Sequence, residues 1–166
     1  REFQAELSTA LLNDARGNPT DIIVVMRDIT ERKRMDKALK DSEAKLRAIY
    51  DSIGDGISVT DLKGTLLDQN AAGVRLSGYS SKEEIVGLNG LSFIAETDRD
   101  RARNDMFNVL QKGIGITTEY KLVKKNGKEF DAEVSGAIIK DSENNPVAIV
   151  NVIRDISERK QIEEAL

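Results

Sequence analysis

The side chains that most often carry out chemistry in proteins are absent from this chain. Its 166 residues include no His and no Cys. A zinc site built from the usual ligands therefore cannot form, and neither can a nucleophile paired with His. Haem held by His or Cys is excluded for the same reason. Carboxylates remain as the groups that could act on a substrate or hold a cation.

The densest carboxylates lie in the segment Glu96–Asp100, where they are interleaved with Arg99. Such a group could bind Mg²⁺ or act as acid and base. The same acids also suit the start of a helix, with Thr97 or Asp98 as the N-cap and the negative charges facing the positive end of the helix dipole. We expect the helix start, and hence no metal site and no catalytic residue.

The composition indicates a globular protein of the cell interior. Charged residues make up 33% of the chain with a net charge of −4, which leaves no basic face for a nucleic acid. No apolar run is long enough to cross a bilayer, so we expect no membrane contact by this segment. The absence of Cys fits a cytoplasmic location.

The chain repeats part of itself. Glu2–Leu39 aligns without a gap with Glu129–Leu166, at an offset of 155 − 28 = 127 residues. A period of this length is that of a domain. We therefore expect the last two strands of one module in residues 1–29, a connector in 30–53, a complete module in 54–156 and the start of an exit helix in 157–166. Two strands cannot bury a core alone. The first pair should be disordered, pair with another chain or lie on the complete module.

Hydrophobic periodicity predicts an α+β fold for the complete module, with five strands joined in hairpins. Asn126-Gly127 and Asn144–Pro146 are turn signals between the last three. The predicted strands are Gly56–Asp61, Thr65–Asp68, Ile116–Lys124, Glu129–Lys140 and Val147–Arg154.

Helices are predicted in the middle of the module. Asn70 caps a short one that Gly78 ends, and the capping box Ser81–Glu84 opens another that stops at Gly87. A longer helix is predicted over Asp98–Lys112, closed by Gly113, with an apolar stripe of Ala102, Met106, Val109 and Leu110.

The last strand is apolar on both faces, which predicts that both faces are covered. Asn151 is the lone polar residue on the face that also carries Val147, Ile149 and Ile153, and its counterpart in the first repeat is Val24. Asn151 is therefore either specific to what the interior of this module holds or a core residue satisfied by a neighbour or a water.

The connector Thr30–Ile53 contains no Pro or Gly, and its apolar residues alternate at spacings of four and three. That pattern is typical of a coiled coil, and we expect a parallel homodimer rather than a single helix packed on its own domain. The dimer seam consists of Met35, Leu39, Ser42, Leu46, Ile49 and Ile53.

The junction between strand and helix is itself repeated, as Arg27–Lys33 and Arg154–Lys160. Each copy has an Asp at the strand end, four residues before an Arg. We expect an ion pair that bridges the corner, or else a simple acidic cap of the helix. The residues concerned are Asp28, Arg32, Asp155 and Arg159.

Several short segments together resemble PAS domains of the sensory-box type. They read DGISVTDLKG at Asp55–Gly64, NAA at Asn70–Ala72, GYS at Gly78–Ser80, KKNG at Lys124–Gly127 and RDISERK at Arg154–Lys160. The resemblance spans about Leu46 to Lys160, and Glu2–Lys33 resembles the final two strands of a preceding PAS domain. It implies a five-stranded antiparallel sheet whose last strand is central, short helices on one face, and a pocket between them.

The resemblance also implies candidate ligand-binding residues. A His- or Cys-ligated haem and a flavin linked to Cys are excluded by composition, so the cofactor is unknown, and a noncovalent flavin stays compatible with the sequence. A small, mostly apolar ligand or a simply filled core would suit the candidate pocket. Its residues are Val59, Leu76, Phe93, Met106, Leu110, Tyr120 and Asn151.

From the resemblance we expect a sensory and dimerisation module that acts in signal transduction, in a two-component system. It would relay a signal through helical linkers to a downstream output domain, such as a histidine kinase. The alternative is a ligand-free PAS spacer that serves only protein interaction. In either case this chain is expected to have no enzymatic activity of its own.

Overall fold

A computed structural model describes residues 3–112, 115 and 117–165. The chain divides into two compact units, with the division between Ala48 and Ile49.

The first unit is a β-hairpin followed by a helix. Strands β1 (Ala5–Asn13) and β2 (Pro19–Asp28) pair antiparallel, and helix α1 runs over Thr30–Ser52. The side chains on both faces of the hairpin are exposed. At the corner the backbone N–H of Gln4 donates to Thr30 Oγ1 at 2.9 Å, which ties the start of α1 to the hairpin.

The second unit is built on a five-stranded antiparallel sheet, which confirms the predicted α+β fold. Its order is β4-β3-β7-β6-β5, so the last strand is central. The strands are β3 (Gly56–Thr60), β4 (Leu66–Gln69), β5 (Thr117–Val123), β6 (Glu129–Lys140) and β7 (Pro146–Asp155).

Short helical segments connect β4 to β5. Asn70 caps helix α2, as predicted, and Gly78 ends it in the left-handed region at φ 74°. The predicted closing residue of α3, Gly113, lies outside the described residues. The segments are α2 (Ala71–Ser77), 3₁₀ turns at Lys82–Glu84, Gly90–Phe93 and Glu96–Asp98, and α3 (Arg99–Lys112); α4 (Ser157–Glu164) follows the sheet.

The predicted capping box at Ser81–Glu84 is wrong. The segment is a single 3₁₀ turn, and the Ser81 side chain forms no capping hydrogen bond. A turn this short leaves too few free N–H groups for a box to satisfy. The chain reaches Gly87 through ordinary turns and passes it at φ 90°.

The acidic segment Glu96–Asp100 does lead into helix α3, as expected. The Asp98 carboxylate acts differently from the predicted N-cap, because it accepts hydrogen bonds from the Lys121 backbone N–H at 2.8 Å and from Arg101 Nη2 at 2.9 Å. It therefore fastens α3 to β5. Among the described residues no group of three or more His, Cys, Asp or Glu is arranged to hold a metal ion.

The sequence repeat is reproduced in the backbone. Ala5 pairs with Asp28 and, 127 residues later, Ala132 pairs with Asp155; each of the nine pairs of β1 and β2 has its counterpart in β6 and β7. The register shift near the turn is also shared, between Leu12 and Asn13 in one hairpin and between Ile139 and Lys140 in the other. The hairpin of the first unit is thus a structural copy of the last two strands of the second.

Candidate functional site

A cavity of about 160 Å³, partly open to solvent, lies between one face of the sheet and the helical segments. Apolar side chains from β5, β6 and α3 pack around it, with Tyr120, Phe130 and Ala102 as buried members. The walls facing the sheet come from α2, the turn at Gly90–Phe93 and α3. The cavity is therefore large enough, with enough apolar lining, to hold a small organic molecule.

Five of the seven residues expected in the pocket line this cavity: Leu76, Phe93, Met106, Tyr120 and Asn151. The other two do not. Val59 lies between Ser58 and Thr60, which both line the cavity, so the alternation of the strand turns it to the opposite face. On α3 the neighbouring Val109 takes the place expected of Leu110.

A row of polar residues crosses the sheet on the cavity face. Ser58 on β3 is paired with Gln69 on β4 and with Asn151 on β7, and Asn151 is paired in turn with Gly136 on β6. All four line the cavity. Sequence reasoning found only Asn151, because which residues stand opposite one another depends on strand register. The odd polar residues at Ser58 and Gln69 were the one available signal.

The buried amide of Gln69 has an unusual environment. Only 6% of the residue is exposed, and Oε1 accepts no hydrogen bond from the described residues. Its side chain lies against helix α2 at Gly73, where a Cβ would stand 2.5 Å from Nε2 and 2.6 Å from Cγ. Glycine at this position leaves room for the Gln69 side chain beside the cavity.

Tyr120 joins the cavity to helix α3. Its hydroxyl donates to Asp105 Oδ2 at 2.6 Å, and the guanidinium of Arg101 lies 4.8 Å from its ring centroid. Burial and the hydrogen bond to Asp105 raise the pKa of Tyr120, so the phenol stays protonated and continues to donate. This contact fixes α3 over β5.

Asn70 holds the other side of the site together. It is fully buried, and its Oδ1 accepts from the backbone N–H groups of Ile57 at 2.8 Å and Gly73 at 2.9 Å. Its Nδ2 donates to the carbonyl oxygens of Tyr50 at 3.0 Å and Asp55 at 3.1 Å. One side chain thus joins the start of α2, the start of β3 and the segment before it.

At the exit junction the predicted ion pair between Asp155 and Arg159 is wrong. Asp155 Oδ1 accepts from the backbone N–H of Ser157 at 2.9 Å, as the alternative of an acidic cap requires. The Asp28 carboxylate likewise accepts from the backbone N–H of Thr30 at 2.8 Å. Hydrogen bonding with the Thr30 side chain, and then with this N–H, lowers the pKa of Asp28. A short Asp side chain reaches the first free N–H of the helix more readily than an Arg one turn further on.

The exit helix α4 is instead bound to the sheet. Arg159 Nη2 donates to Glu119 Oε1 at 2.6 Å, and Lys160 Nζ lies 3.0 Å from Glu119 Oε2 and 3.1 Å from Asp131 Oδ1. These contacts with Lys160 lower the pKa of both carboxyls and raise that of the lysine. Ile156, at the corner, is 3% exposed, and its backbone N–H donates to Asp131 O.

The seam expected on the connector is exposed in this single chain. Leu46 is 64% and Met35 66% exposed, and the apolar residues of the seam are all among the exposed large hydrophobic side chains. No helix in the part of the chain that the structure describes is both long and apolar enough to cross a membrane.

These features define a small α+β domain that encloses a ligand-sized cavity under an antiparallel sheet and ends in an anchored helix. Residues 54–158 match the family model described as a PAS domain, and the chain belongs to that family. It is therefore a PAS sensory module.

Two of the curated relatives are sensors by their names. The chain is 29% identical over 162 residues to the sensor histidine kinase TmoS of Ectopseudomonas mendocina, which matches 95% of this chain and 16% of the relative. It is 35% identical over 129 residues to the methyl sulfide methyltransferase-associated sensor of Methanosarcina acetivorans, with 77% and 12% covered. The chain thus spans less than a fifth of the length of either relative.

Solved structures support the fold. The PAS domain of a protein from Colwellia psychrerythraea has a TM-score of 0.64 at 27% identity, covering 69% of this chain and 98% of that one. The PAS domain of an HTR-like protein from Haloarcula marismortui has a TM-score of 0.65 at 21% identity, covering 75% and 99%; at that identity it is evidence for the fold alone.

Proposed function

We propose that this chain senses a small molecule in its cavity and relays the occupied state through helix α4 to a downstream output domain, such as the histidine kinase that the name of the relative TmoS states. The observation that carries the proposal is that strand β5 contacts both the cavity and the exit helix. The two contacts are made by neighbouring residues.

Tyr120 lines the cavity and binds α3 through Asp105. Glu119, the residue before it, faces the opposite side because successive side chains in a strand alternate. There it binds Arg159 and Lys160 of α4. A shift of β5 on ligand binding would therefore directly change the position of the exit helix on the sheet.

Helix α3, which binds Tyr120 through Asp105, also contacts Glu119. Arg101 Nη2 donates to the backbone carbonyl of Glu119 at 2.9 Å and to Asp98 Oδ1 at 2.9 Å. The helix that covers the cavity is thus bonded to the residue that anchors α4. Helix α4 could then adopt two positions of similar free energy. A ligand that binds one of them slightly more tightly would shift the balance and change the output.

Dimerisation through the connector is the second part of the proposal. The exposed apolar seam of α1 has the spacing of a two-stranded coiled coil. A parallel homodimer would bring two symmetry-related copies of the chain into one assembly. Such symmetry would present the paired output domains to one another.

The relay is tested in the full-length protein that contains this chain. The double variant Arg159→Gln/Lys160→Gln removes the cations that hold α4 on Glu119 and Asp131. We expect the activity of the output domain to lose its dependence on the signal. Lys128→Gln/Lys140→Gln, at two exposed lysines, is the matched control. A normal response in the first variant would overturn the relay and favour the ligand-free spacer.

A further inference from the structure

We infer that the cavity recognises an uncharged, single-ring organic molecule with an amide-like edge, in which a hydrogen-bond donor stands beside an acceptor. The inference rests on the proposed sensing function, because it names the ligand class of the same cavity. It comes from the polar row that crosses the sheet, from the absence of a countercharge for an ionic ligand at that row, and from the volume of the cavity.

The polar row offers hydrogen bonds that the protein does not use. Oε1 of Gln69 is buried and accepts no hydrogen bond from the described residues, and the side chains of Ser58 and Asn151 line the same cavity beside it. Buried polar groups are nearly always satisfied in native structures. The unsatisfied Gln69 Oε1, with Ser58 and Asn151 in line beside it on the cavity face, therefore indicates a ligand that supplies the missing donor.

The row also has a shape. Gln69, Ser58 and Asn151 stand on adjacent strands in direct register, so their side chains follow one line at the strand spacing of about 4.8 Å. The next residue in the line is Gly136, where a Cβ would stand 3.1 Å from Asn151 Oδ1. The absence of a side chain there keeps the Asn151 amide free and leaves the end of the row open.

The groups in the row determine the polarity of the ligand. The side chains of Gln69 and Asn151 each carry a carbonyl oxygen and an NH₂ group, and the hydroxyl of Ser58 both donates and accepts. A primary amide or a lactam presents the complementary pair, because its N–H can meet Gln69 Oε1 while its carbonyl accepts from a neighbour. A ligand that only accepts would leave Gln69 Oε1 unsatisfied.

A charged ligand does not fit. Asp105 is the only charged residue that lines the cavity among the described residues, and its Oδ2 already accepts from the Tyr120 hydroxyl at 2.6 Å. An anion would meet this carboxylate without a balancing cation. A cation at the polar row would also lack a countercharge there, because the row carries only amide and hydroxyl groups. Burying an unpaired charge costs far more than burying a neutral polar group.

The volume limits the ligand to one ring. A cavity of about 150 Å³ in another protein holds benzene, and this one measures about 160 Å³. Phe93, Leu76 and Met106 form apolar walls against which the faces of a planar ring can pack. The ring would thus lie among these side chains with its polar edge toward the sheet.

The test uses the purified chain and three probes of nearly the same shape. Benzamide carries the donor and the acceptor, benzoate is its charged counterpart, and isopropylbenzene has neither group. Binding is measured by the saturable shift of cavity methyl signals in NMR spectra. We expect benzamide to bind at least about tenfold more tightly than either of the others, as each tenfold step corresponds to the loss of one buried hydrogen bond.

Two variants locate the contact. Gln69→Leu keeps the side-chain volume and removes the amide, and Asn151→Val restores the residue of the first repeat, Val24. Each should weaken benzamide by about tenfold and leave isopropylbenzene unchanged or tighter. Gln111→Leu, at an exposed position of α3, is the matched control. The melting midpoint of each variant establishes that it is folded.

Equal binding of benzamide and isopropylbenzene would overturn the inference, since the cavity would then recognise only apolar bulk. Tighter binding of benzoate, or no saturable binding of benzamide at its solubility limit, would overturn it too. The relay is tested separately: loss of benzamide binding with an intact effect of Arg159→Gln/Lys160→Gln would remove the ligand class and keep the relay. If benzamide binds but the Arg159→Gln/Lys160→Gln variant responds normally to the signal, the ligand class is kept and the relay is removed.

Discussion

Arg159 and Glu119 join the exit helix to the edge strand of the sheet, with 2.6 Å between Nη2 and Oε1. The residues are forty positions apart, and β5 is the outermost strand on its side. The helix is therefore held by a strand that pairs with one strand of the sheet and is bridged on its other edge only by Ile94 and Ala95. An edge strand can move with less disruption of the ladder than a central one, which makes this contact a suitable point of control.

The first prediction concerns Glu119, which binds both cations of α4. Glu119→Gln removes their shared countercharge, and we expect faster amide exchange throughout α4. The melting midpoint should stay close to that of the wild type, because exposed ion pairs contribute little to stability. Glu129→Gln, the same change at an exposed position of β6, should leave exchange unaltered. Unchanged exchange in Glu119→Gln would show that Glu119 does not hold α4 and that the contacts of Asp131 and Ile156 are sufficient.

The second prediction is the pH dependence of this anchor. Lys160 lowers the pKa of Glu119 below 4.5 and of Asp131 below 3.8, so the contribution of these carboxylates is present above their ordinary pKa values and is lost as the pH falls through the lowered ones. The pKa of Lys160 is raised above 10.5, so its contribution is lost only at still higher pH. Amide chemical shifts of α4, followed from neutral to acidic pH, should move in that acidic window. Lys160→Gln should shift the transition toward the ordinary carboxyl range, and an unmoved transition would contradict the assignment.

The third prediction concerns Asn70, whose side chain makes four hydrogen bonds from a fully buried position. Asn70→Ala should lower the free energy of unfolding by about 2–4 kcal/mol, because buried backbone groups lose their partners. Asn89→Ala removes an exposed cap to Leu91 and should cost only about 1 kcal/mol. Urea unfolding measures both. Equal losses would mean that Asn70 acts as a helix cap and nothing more.

The fourth prediction tests the proposed dimer. Leu46→Asp places a charge in the exposed seam of α1 and should convert a dimer to monomers in sedimentation velocity. Ala44→Asp lies on the opposite side of the same helix and should leave the mass unchanged. A dimer that survives Leu46→Asp would place its interface elsewhere, and a monomeric wild type would exclude the coiled coil.

The fifth prediction separates a cap from a hinge at Asp155. Because its carboxylate accepts from the Ser157 N–H, Asp155→Ala should fray the start of α4 and cost about 1 kcal/mol. Asp155→Asn keeps an acceptor oxygen and should recover most of the loss. Thermal unfolding and amide exchange at Ser157 give the measurement. A signalling defect in Asp155→Ala without any loss of stability would favour a hinge instead.

Sequence patterns were sufficient for the strands and α-helices of this fold and for part of the site, but not for the 3₁₀ turn at Lys82–Glu84. Alternation located the five strands, and Asn70 and Gly78 marked the ends of α2, because strand periodicity and helix caps are local properties. They were insufficient where the outcome depends on distant contacts. Arg159 of helix α4 binds Glu119, which lies forty residues earlier on strand β5. The alignment of Ser58 with Gln69 and Asn151 follows from the register of three strands.

The shared strand register of the two hairpins has a consequence for the first unit. In the second, the segment Ile149–Ile153 of β7 is covered along its outer edge by β3. The corresponding segment of β2, Ile22–Met26, reads IIVVM and has no such neighbour among the described residues. Its main-chain donors and acceptors along this edge are a ready template for any extended chain that approaches. Handled by itself, this polypeptide therefore carries an aggregation-prone strand whose sequence belongs to the centre of a sheet.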